Sequence, residues 1–169
     1  MNLRKSFTQN QHFMPFLLVI AVVVCWPATS YQQQPPASQP VQIDHLALNV
    51  TDLDASVAFY SGVLGLQEIP AAAKGRRWMS LGKGGVALHL LGGRTQPIAD
   101  NRSVHLAFTS DNLEPILQRL RERKIAWSDF AGTPGAIAAT RTDGVRQIFF
   151  RDPDGYWIEV NDAVKNKPK

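Results

Sequence analysis

Cysteine is almost absent from this chain of 169 residues, with Cys25 as its single example. Because Cys25 lies in an N-terminal segment that we expect to be removed, the mature domain would have neither a disulfide nor a thiol nucleophile. The folded part also lacks a charge excess. Once residues 1–30 and the last three lysines are set aside, 13 basic residues stand against 14 acidic ones. Nucleic-acid binding needs a clustered basic face, so we expect no nucleic-acid partner.

Long hydrophobic runs are lacking too. The longest, Phe13 to Trp26, has 14 residues, which is too short to cross a ~30 Å hydrocarbon core comfortably as a helix. A basic start at Arg4 and Lys5 and the small residues 28–30 complete the pattern of an export signal over residues 1–30, cut after Ser30. The alternative is an uncleaved anchor, the one case in which we expect membrane contact. Either way, the sequence predicts a periplasmic or secreted domain.

Three further segments follow from composition. Residues 31–41 carry a glutamine run and three prolines, which predicts a flexible linker. Residues 42–162 have the length of one domain. Residues 163–169 form a basic tail.

The domain contains an internal repeat. Asp44-His45-Leu46-Ala47-Leu48 returns as Val104-His105-Leu106-Ala107-Phe108, at an offset of 60 residues. A second echo aligns the hairpin of residues 78–90 with that of residues 148–160, which places His89 opposite Glu159. Such self-similarity indicates two copies of one structural unit.

Each copy begins with the alternating apolar and polar residues of a strand. It continues with apolar residues at helical spacing and ends with the pattern of a β-hairpin. We therefore predict two βαβββ modules, residues 42–91 and 103–162, in an α+β fold whose pseudo-symmetric sheet forms a partly open barrel around a cleft. Asp52 or Thr51 is expected to cap the first helix, and Asp111 or Asn112 the second. The predicted strands cover residues 43–50, 67–70, 77–81, 86–91, 103–108, 125–129, 136–141, 147–151 and 156–161.

The repeat also accounts for most of the few histidines in the chain. Of four in the chain, His12 lies in the predicted signal, and the other three occupy matched strand positions. If the modules close a cleft, His45, His89, His105 and Glu159 meet there. Three imidazoles and one carboxylate suit Zn, Ni, Fe, Mn or Co. The alternative for each histidine is a structural role, and His89 could instead contact the substrate.

These motifs resemble those of the vicinal oxygen chelate superfamily, which includes glyoxalase I, extradiol dioxygenases and fosfomycin thiol transferases. The resemblance covers residues 41–162, and its most specific part is Phe150-Arg151-Asp152-Pro153-Asp154-Gly155-Tyr156-Trp157-Ile158-Glu159. It implies His45, His105 and Glu159 as ligands of a divalent metal that binds two adjacent substrate oxygens. In glyoxalase I the position of His89 usually carries Glu, and the bleomycin-binding members use no metal.

Several activities stay open on this basis. A glyoxalase I-type lyase or isomerase, with Glu159 as ligand and base and His89 as a further catalytic group, is the leading hypothesis. Two histidines and a carboxylate also form the facial triad of Fe(II) extradiol dioxygenases. A fosfomycin thiol transferase is third, since the potassium loop and dense cationic array of that family are not evident. A non-catalytic protein that binds a small molecule is the alternative from another class.

Substrate contacts are predicted for Trp157, Arg102 and Asn49. Anionic substrates have five candidate anchors, although each is more simply a surface arginine: Arg76, Arg77, Arg102, Arg141 and Arg146. The partner is expected to be a small molecule, and a homodimer is compatible with the spacing.

Overall fold

A computed structural model describes residues 41–82 and 84–163. The predicted export signal, nearly all of the predicted linker and residues 164–169 of the tail lie outside the described residues. Within the described part, neither helix is long and apolar enough to cross a membrane.

The domain consists of two modules that each form a four-stranded mixed sheet. The first contains β1 (His45–Val50), α1 (Leu53–Gly62), β2 (Glu68–Ile69), β3 (Arg76–Ser80) and β4 (Ala87–Gly92). The second contains β5 (His105–Thr109), α2 (Glu114–Glu122), β6 (Trp127–Ser128), β7 (Gln147–Arg151) and β8 (Trp157–Asn161). The strand orders are β1-β4-β3-β2 and β5-β8-β7-β6. The predicted α+β class is confirmed, and the sheets do not close into a barrel.

The registers of the two sheets match residue by residue. In the first sheet, Ala47 lies beside His89, and His89 lies beside Trp78. In the second, Ala107 lies beside Glu159, and Glu159 lies beside Phe149. His89 and Glu159 therefore occupy equivalent positions, as the internal repeat predicts.

The helix termini differ in how they are satisfied. The Asp52 carboxylate accepts hydrogen bonds from the backbone N–H groups of Asp54 and Ala55, which confirms the predicted cap of α1. At α2 the N-cap is Leu113, whose side chain makes no capping bond. Asn112 lies one residue earlier, and its side-chain oxygen accepts from the Glu114 N–H at 3.0 Å.

One predicted strand is wrong. Residues 136–141 form no strand, and Ala138 alone pairs with Gln147 through an isolated bridge. The reason is the occupancy of β7: β8 takes one of its edges, and β6 takes Phe149 and Phe150 on the other. The segment therefore reaches this edge only at the first residue of β7, Gln147.

Both sheets pack their helix-side faces into one apolar core. Leu88 and Leu90 of β4, Ile158 and Val160 of β8, and residues of both helices belong to the same buried cluster. Side chains alternate across a strand, so His89 and Glu159 project from the opposite face of each sheet. We call this the outer face.

Candidate functional site

The first half-site consists of His45 on β1 and His89 on β4. Their rings stack with centroids 4.1 Å apart and planes 11° from parallel. Trp78 of β3 stacks on His89 from the other side, at 4.2 Å and 5°. Because β1 and β3 flank β4, His89 is held flat between two rings.

The second half-site consists of His105 on β5 and Glu159 on β8. His105 Nε2 lies 3.2 Å from Glu159 Oε2, and Phe149 packs against the His105 ring in an edge-on contact. Asn161 donates a hydrogen bond of 2.7 Å to Glu159 Oε1. Glu159 is only 6% exposed, so these neighbours compensate for the burial of a carboxylate.

Two of the three candidate histidine ligands, His45 and His105, are each oriented by an oxygen acceptor. His45 Nδ1 lies 2.6 Å from the Asp44 carboxylate, and His105 Nδ1 lies 2.8 Å from the Arg102 carbonyl oxygen. An acceptor at Nδ1 places the ring proton there and leaves Nε2 with a lone pair, which is how metal-binding histidines are usually held. The donor chemistry of both half-sites therefore fits a divalent metal.

The two half-sites do not meet within one chain. Among residues 41–82 and 84–163, no group of three or more His, Cys, Asp or Glu side chains is arranged to hold a metal. The buried cluster contains the helix-side residues of both sheets, whereas His89 and Glu159 project from the other face of their own sheets. The four predicted residues are brought together as two pairs and not as one cluster.

The pKa of His89 lies below its ordinary value. Burial is the largest cause and the nearby His45 lowers the pKa further, while Asp44 acts in the opposite direction and Arg76 has the smallest lowering effect. His89 is consequently a neutral imidazole at neutral pH, able to accept a proton at one nitrogen and donate from the other.

Trp157 and Arg102 are engaged within the protein. The Arg102 and Arg151 guanidinium groups lie over the Trp157 ring at 4.2 and 4.5 Å, and its indole N–H donates to Asp100 at 3.0 Å. Arg102 also donates to the carbonyl oxygens of Asp129 and Phe130. The ring is therefore covered by cations, and Arg102 holds the loop after β6.

Three groups that contact the candidate site have no role predicted from the sequence: the Asp44 carboxylate, the Asn161 amide and the Arg102 carbonyl oxygen. Asn161 shares the outer face with Glu159, so strand alternation is a usable signal for it. The signal for Asp44 is only that it adjoins His45 in the chain. The Arg102 carbonyl carries no side-chain signal, and its contact depends on the turn before β5. The third predicted substrate residue, Asn49, donates to the Leu91 carbonyl oxygen at 3.3 Å.

The model of the Glyoxalase/Bleomycin resistance protein/Dioxygenase superfamily matches residues 42–160, and the chain belongs to this superfamily. It is similar to the metallothiol transferase FosB of Shouchella clausii, with 31% identity over 127 residues that cover 70% of this chain and 78% of that protein. It is also similar to the virulence protein STM3117 of Salmonella typhimurium, with 28% identity, 73% of this chain and 85% of that protein. Among solved structures, the oxidase ChaP-H2 aligns with a TM-score of 0.59 and 25% identity, over 77% of this chain and 96% of the other.

Proposed function

We propose that this protein is a divalent-metal-dependent enzyme that acts on a small substrate with two adjacent oxygens. His45, His105 and Glu159 are the proposed ligands. The observation that carries the proposal is that His45 and His105, at equivalent positions, both have Nδ1 held by an oxygen acceptor. A buried carboxylate lies 3.2 Å from Nε2 of the second.

The proposed centre is shared between two copies of the chain. Neither half-site alone has the three or four protein ligands that such metals take. In a twofold dimer, the first half-site of one copy meets the second half-site of the other, and two equivalent centres result. The outer face at β1 supports this arrangement, because its His45 side chain is 44% exposed.

Glu159 and His89 are the proposed catalytic residues. A bound metal would act as a Lewis acid on the substrate oxygens. Glu159 would serve as ligand and base, with its Oε1 kept in place by Asn161. The in-plane lone pairs of parallel rings do not converge, so His45 and His89 do not both ligate one ion in this arrangement. We therefore assign His89 to proton transfer with the substrate.

Two reaction types are about equally supported. A glyoxalase I-type lyase follows from the superfamily and from Glu159 as a ligand that also acts as a base. Thiol transfer of the fosfomycin-resistance kind is supported by the similarity to FosB, which weighs against its third place on sequence grounds alone. An Fe(II) dioxygenase is the third candidate, and the two-histidine, one-carboxylate set and the similarity to an oxidase support it. A non-catalytic binder remains the alternative from another class.

Bound metal in the tag-free full-length chain, measured by elemental mass spectrometry, tests this proposal. We expect about one divalent ion per chain, and its loss from a His45→Ala, His105→Ala double variant. Iron would direct assays towards oxygen chemistry, and zinc, nickel or manganese towards the lyase and the thiol transferase. Absence of metal after reconstitution would contradict the proposal and favour the non-catalytic alternative.

We also propose that the domain is exported, on the strength of the basic, apolar and small-residue pattern of residues 1–30. Cell fractionation of the full-length protein, with N-terminal sequencing, tests this. A mature N-terminus at Tyr31 in the exported fraction is expected. An intact N-terminus in a membrane-free cytoplasmic fraction would contradict it.

A further inference from the structure

The outer face of the first sheet consists of three rows of side chains that run across the strands. His45, Ala87 and Ser80 form the first row, and Ala47, His89 and Trp78 the second. Asn49, Leu91 and Arg76 form the third. Successive rows are two residues apart, or about 6.6 Å along a strand. The third row therefore adjoins the half-site on the side away from His45.

Arg76 differs from the other arginines that the sequence singled out. Arg77 pairs with Asp54 and Glu68, Arg141 with Asp143, and Arg146 with Asp162. Arg102 donates to two carbonyl oxygens. Arg76 is exposed and has no hydrogen bond or ion pair with any residue in the described part of the chain. The strand register places Arg76 two residues from Trp78 on the same face of β3, diagonally across from His89 of β4, and therefore next to the half-site.

The matching row of the second sheet contains no cation. Its members are Thr109, Asn161 and Gln147, so neutral Gln147 stands where the first module has Arg76. The charge is thus a departure from the pseudo-symmetry of the fold. Beside it, Leu91 gives the row an apolar floor, and Asn49 contributes an amide that its bond to the Leu91 carbonyl holds in place.

We infer that Arg76 is a specificity-determining residue that binds a carboxylate of the substrate, one row beyond His89, which exchanges a proton with the substrate. This inference rests on the proposed function. A guanidinium with no internal partner is suited to pair with a planar carboxylate through two parallel hydrogen bonds. The spacing of one row between His89 and Arg76 matches a substrate in which a ring separates two adjacent oxygens from the carboxylate.

Two matched chelators test the inference: catechol, which has only adjacent oxygens, and 3,4-dihydroxybenzoate, which adds a carboxylate. Binding of each to the metal-loaded full-length protein is measured by calorimetry. We expect 3,4-dihydroxybenzoate to bind about tenfold more tightly, since hydrogen bonds to charged groups contribute that much. The preference should decrease as salt increases.

Substitutions test whether Arg76 causes the preference for 3,4-dihydroxybenzoate over catechol. Arg76→Gln should abolish the tenfold ratio while catechol affinity stays unchanged, and Arg76→Lys should retain part of it. Lys74→Gln, which removes a nearby exposed cation, is the matched control and should leave the ratio intact. Sedimentation should show the same oligomeric state for all three variants and the native protein.

The inference is overturned if the native protein binds both chelators equally, or if Arg76→Gln leaves the ratio unchanged. Both outcomes leave the proposed function standing, because the chelators still bind. A protein that takes up no metal, or a loaded protein that binds neither chelator, contradicts the proposed function itself, and the inference fails with it.

Discussion

At the scale of single residues, the candidate site is built from side chains and from the neighbours that orient them. Arg102 illustrates the second group: its carbonyl oxygen holds His105 Nδ1, and its guanidinium holds the loop at Asp129 and Phe130. The sequence predicts the histidines and Glu159 because their residue types and matched positions are visible in a repeat. From the sequence, Arg102 is predicted to contact the substrate, because a guanidinium is a common partner of anions. The contact that its backbone carbonyl makes cannot be predicted from the residue type.

Asn161→Ala tests the orientation of Glu159. The substitution removes the 2.7 Å hydrogen bond to Glu159 Oε1, and loss of such supporting contacts lowers metal affinity about 10–100-fold. Titration with a competing chelator measures the affinity. Gln147→Ala is the control, since Gln147 lies beside Asn161 in the same row of the outer face. Equal affinities in the two variants would mean that the bond does not support the ligand.

Tyr60→Phe tests a buried polar contact away from the site. The Tyr60 hydroxyl donates a 2.8 Å bond to Asp152, and its loss should reduce the free energy of unfolding by about 1–3 kcal/mol. Burial, followed by the nearby Asp152 charge, raises the pKa of Tyr60. The contribution of Tyr60 is therefore complete below about pH 10, the pKa of the unfolded state, and decreases above it.

Urea unfolding at neutral and at alkaline pH measures both effects of Tyr60→Phe. The variant should be less stable at pH 7, and it should lose less stability than the native protein between pH 9 and pH 11. An identical alkaline decrease in both proteins would show that Tyr60 is not the source.

At the scale of structural elements, the turn between β7 and β8 joins the two modules. Asp154 accepts hydrogen bonds from Arg94 at 2.8 Å and from the Thr51 N–H at 2.8 Å, and both donors belong to residues before the second module. The Tyr156 hydroxyl adds a bond to the Asn49 carbonyl oxygen. The segment that is most typical of the superfamily thus includes, in this protein, the residues that hold the modules together.

Asp154→Asn should destabilise the fold strongly. Asp154 and Arg94 have side chains that are 3% and 15% exposed, and breaking a buried ion pair costs about 3 kcal/mol. Although burial alone would raise the pKa of Asp154, the hydrogen bonds from Arg94 and Thr51 outweigh it and lower the pKa. Its stabilisation is therefore present above about pH 3.9, the value of the unfolded chain, and is lost as the pH falls below it.

Thermal unfolding of Asp154→Asn and of the native protein between pH 2 and pH 7 measures this pH-dependent stabilisation. The variant should lose most of its stability difference from the native protein at the acidic end. The control is Asp143→Asn, which removes the exposed partner of Arg141 and should change little. Equal destabilisation by the two substitutions would contradict a special role for the turn.

The sequence predicts these elements unevenly. Alternation and helical spacing predict both helices and the strands that carry the site, because those patterns are local. The sequence also shows the basic residues at the end of α2, but it does not show that they contact α1. Arg119 donates to the Val63 carbonyl oxygen at the end of α1, and a Cβ at Gly62 would lie 2.7 Å from Arg123. The arginines thus serve the neighbouring helix as well as their own.

At the scale of the whole molecule, the decisive feature is that the two half-sites do not form one group of ligands within the described part of the chain. The repeat predicts which residues share a face, since strand periodicity determines the side of a sheet. The repeat does not predict which sheet faces each half-site, or whether that sheet belongs to the same chain or to a second copy. The packing of one sheet against another depends on contacts between residues far apart in the chain. Hence the four predicted residues form two pairs, and a second copy is needed to complete the proposed centre.

Metal content after co-expression of two complementary variants tests the shared centre most directly. One chain carries His45→Ala and His89→Ala, and the other carries His105→Ala and Glu159→Ala. Each variant alone should be metal-free. In a random mixture, half of the dimers contain one chain of each kind, and one of their two centres is intact, so about a quarter of the native metal per chain should return. A mixture that stays metal-free, although the native protein binds metal and the two chains associate, would contradict the shared centre.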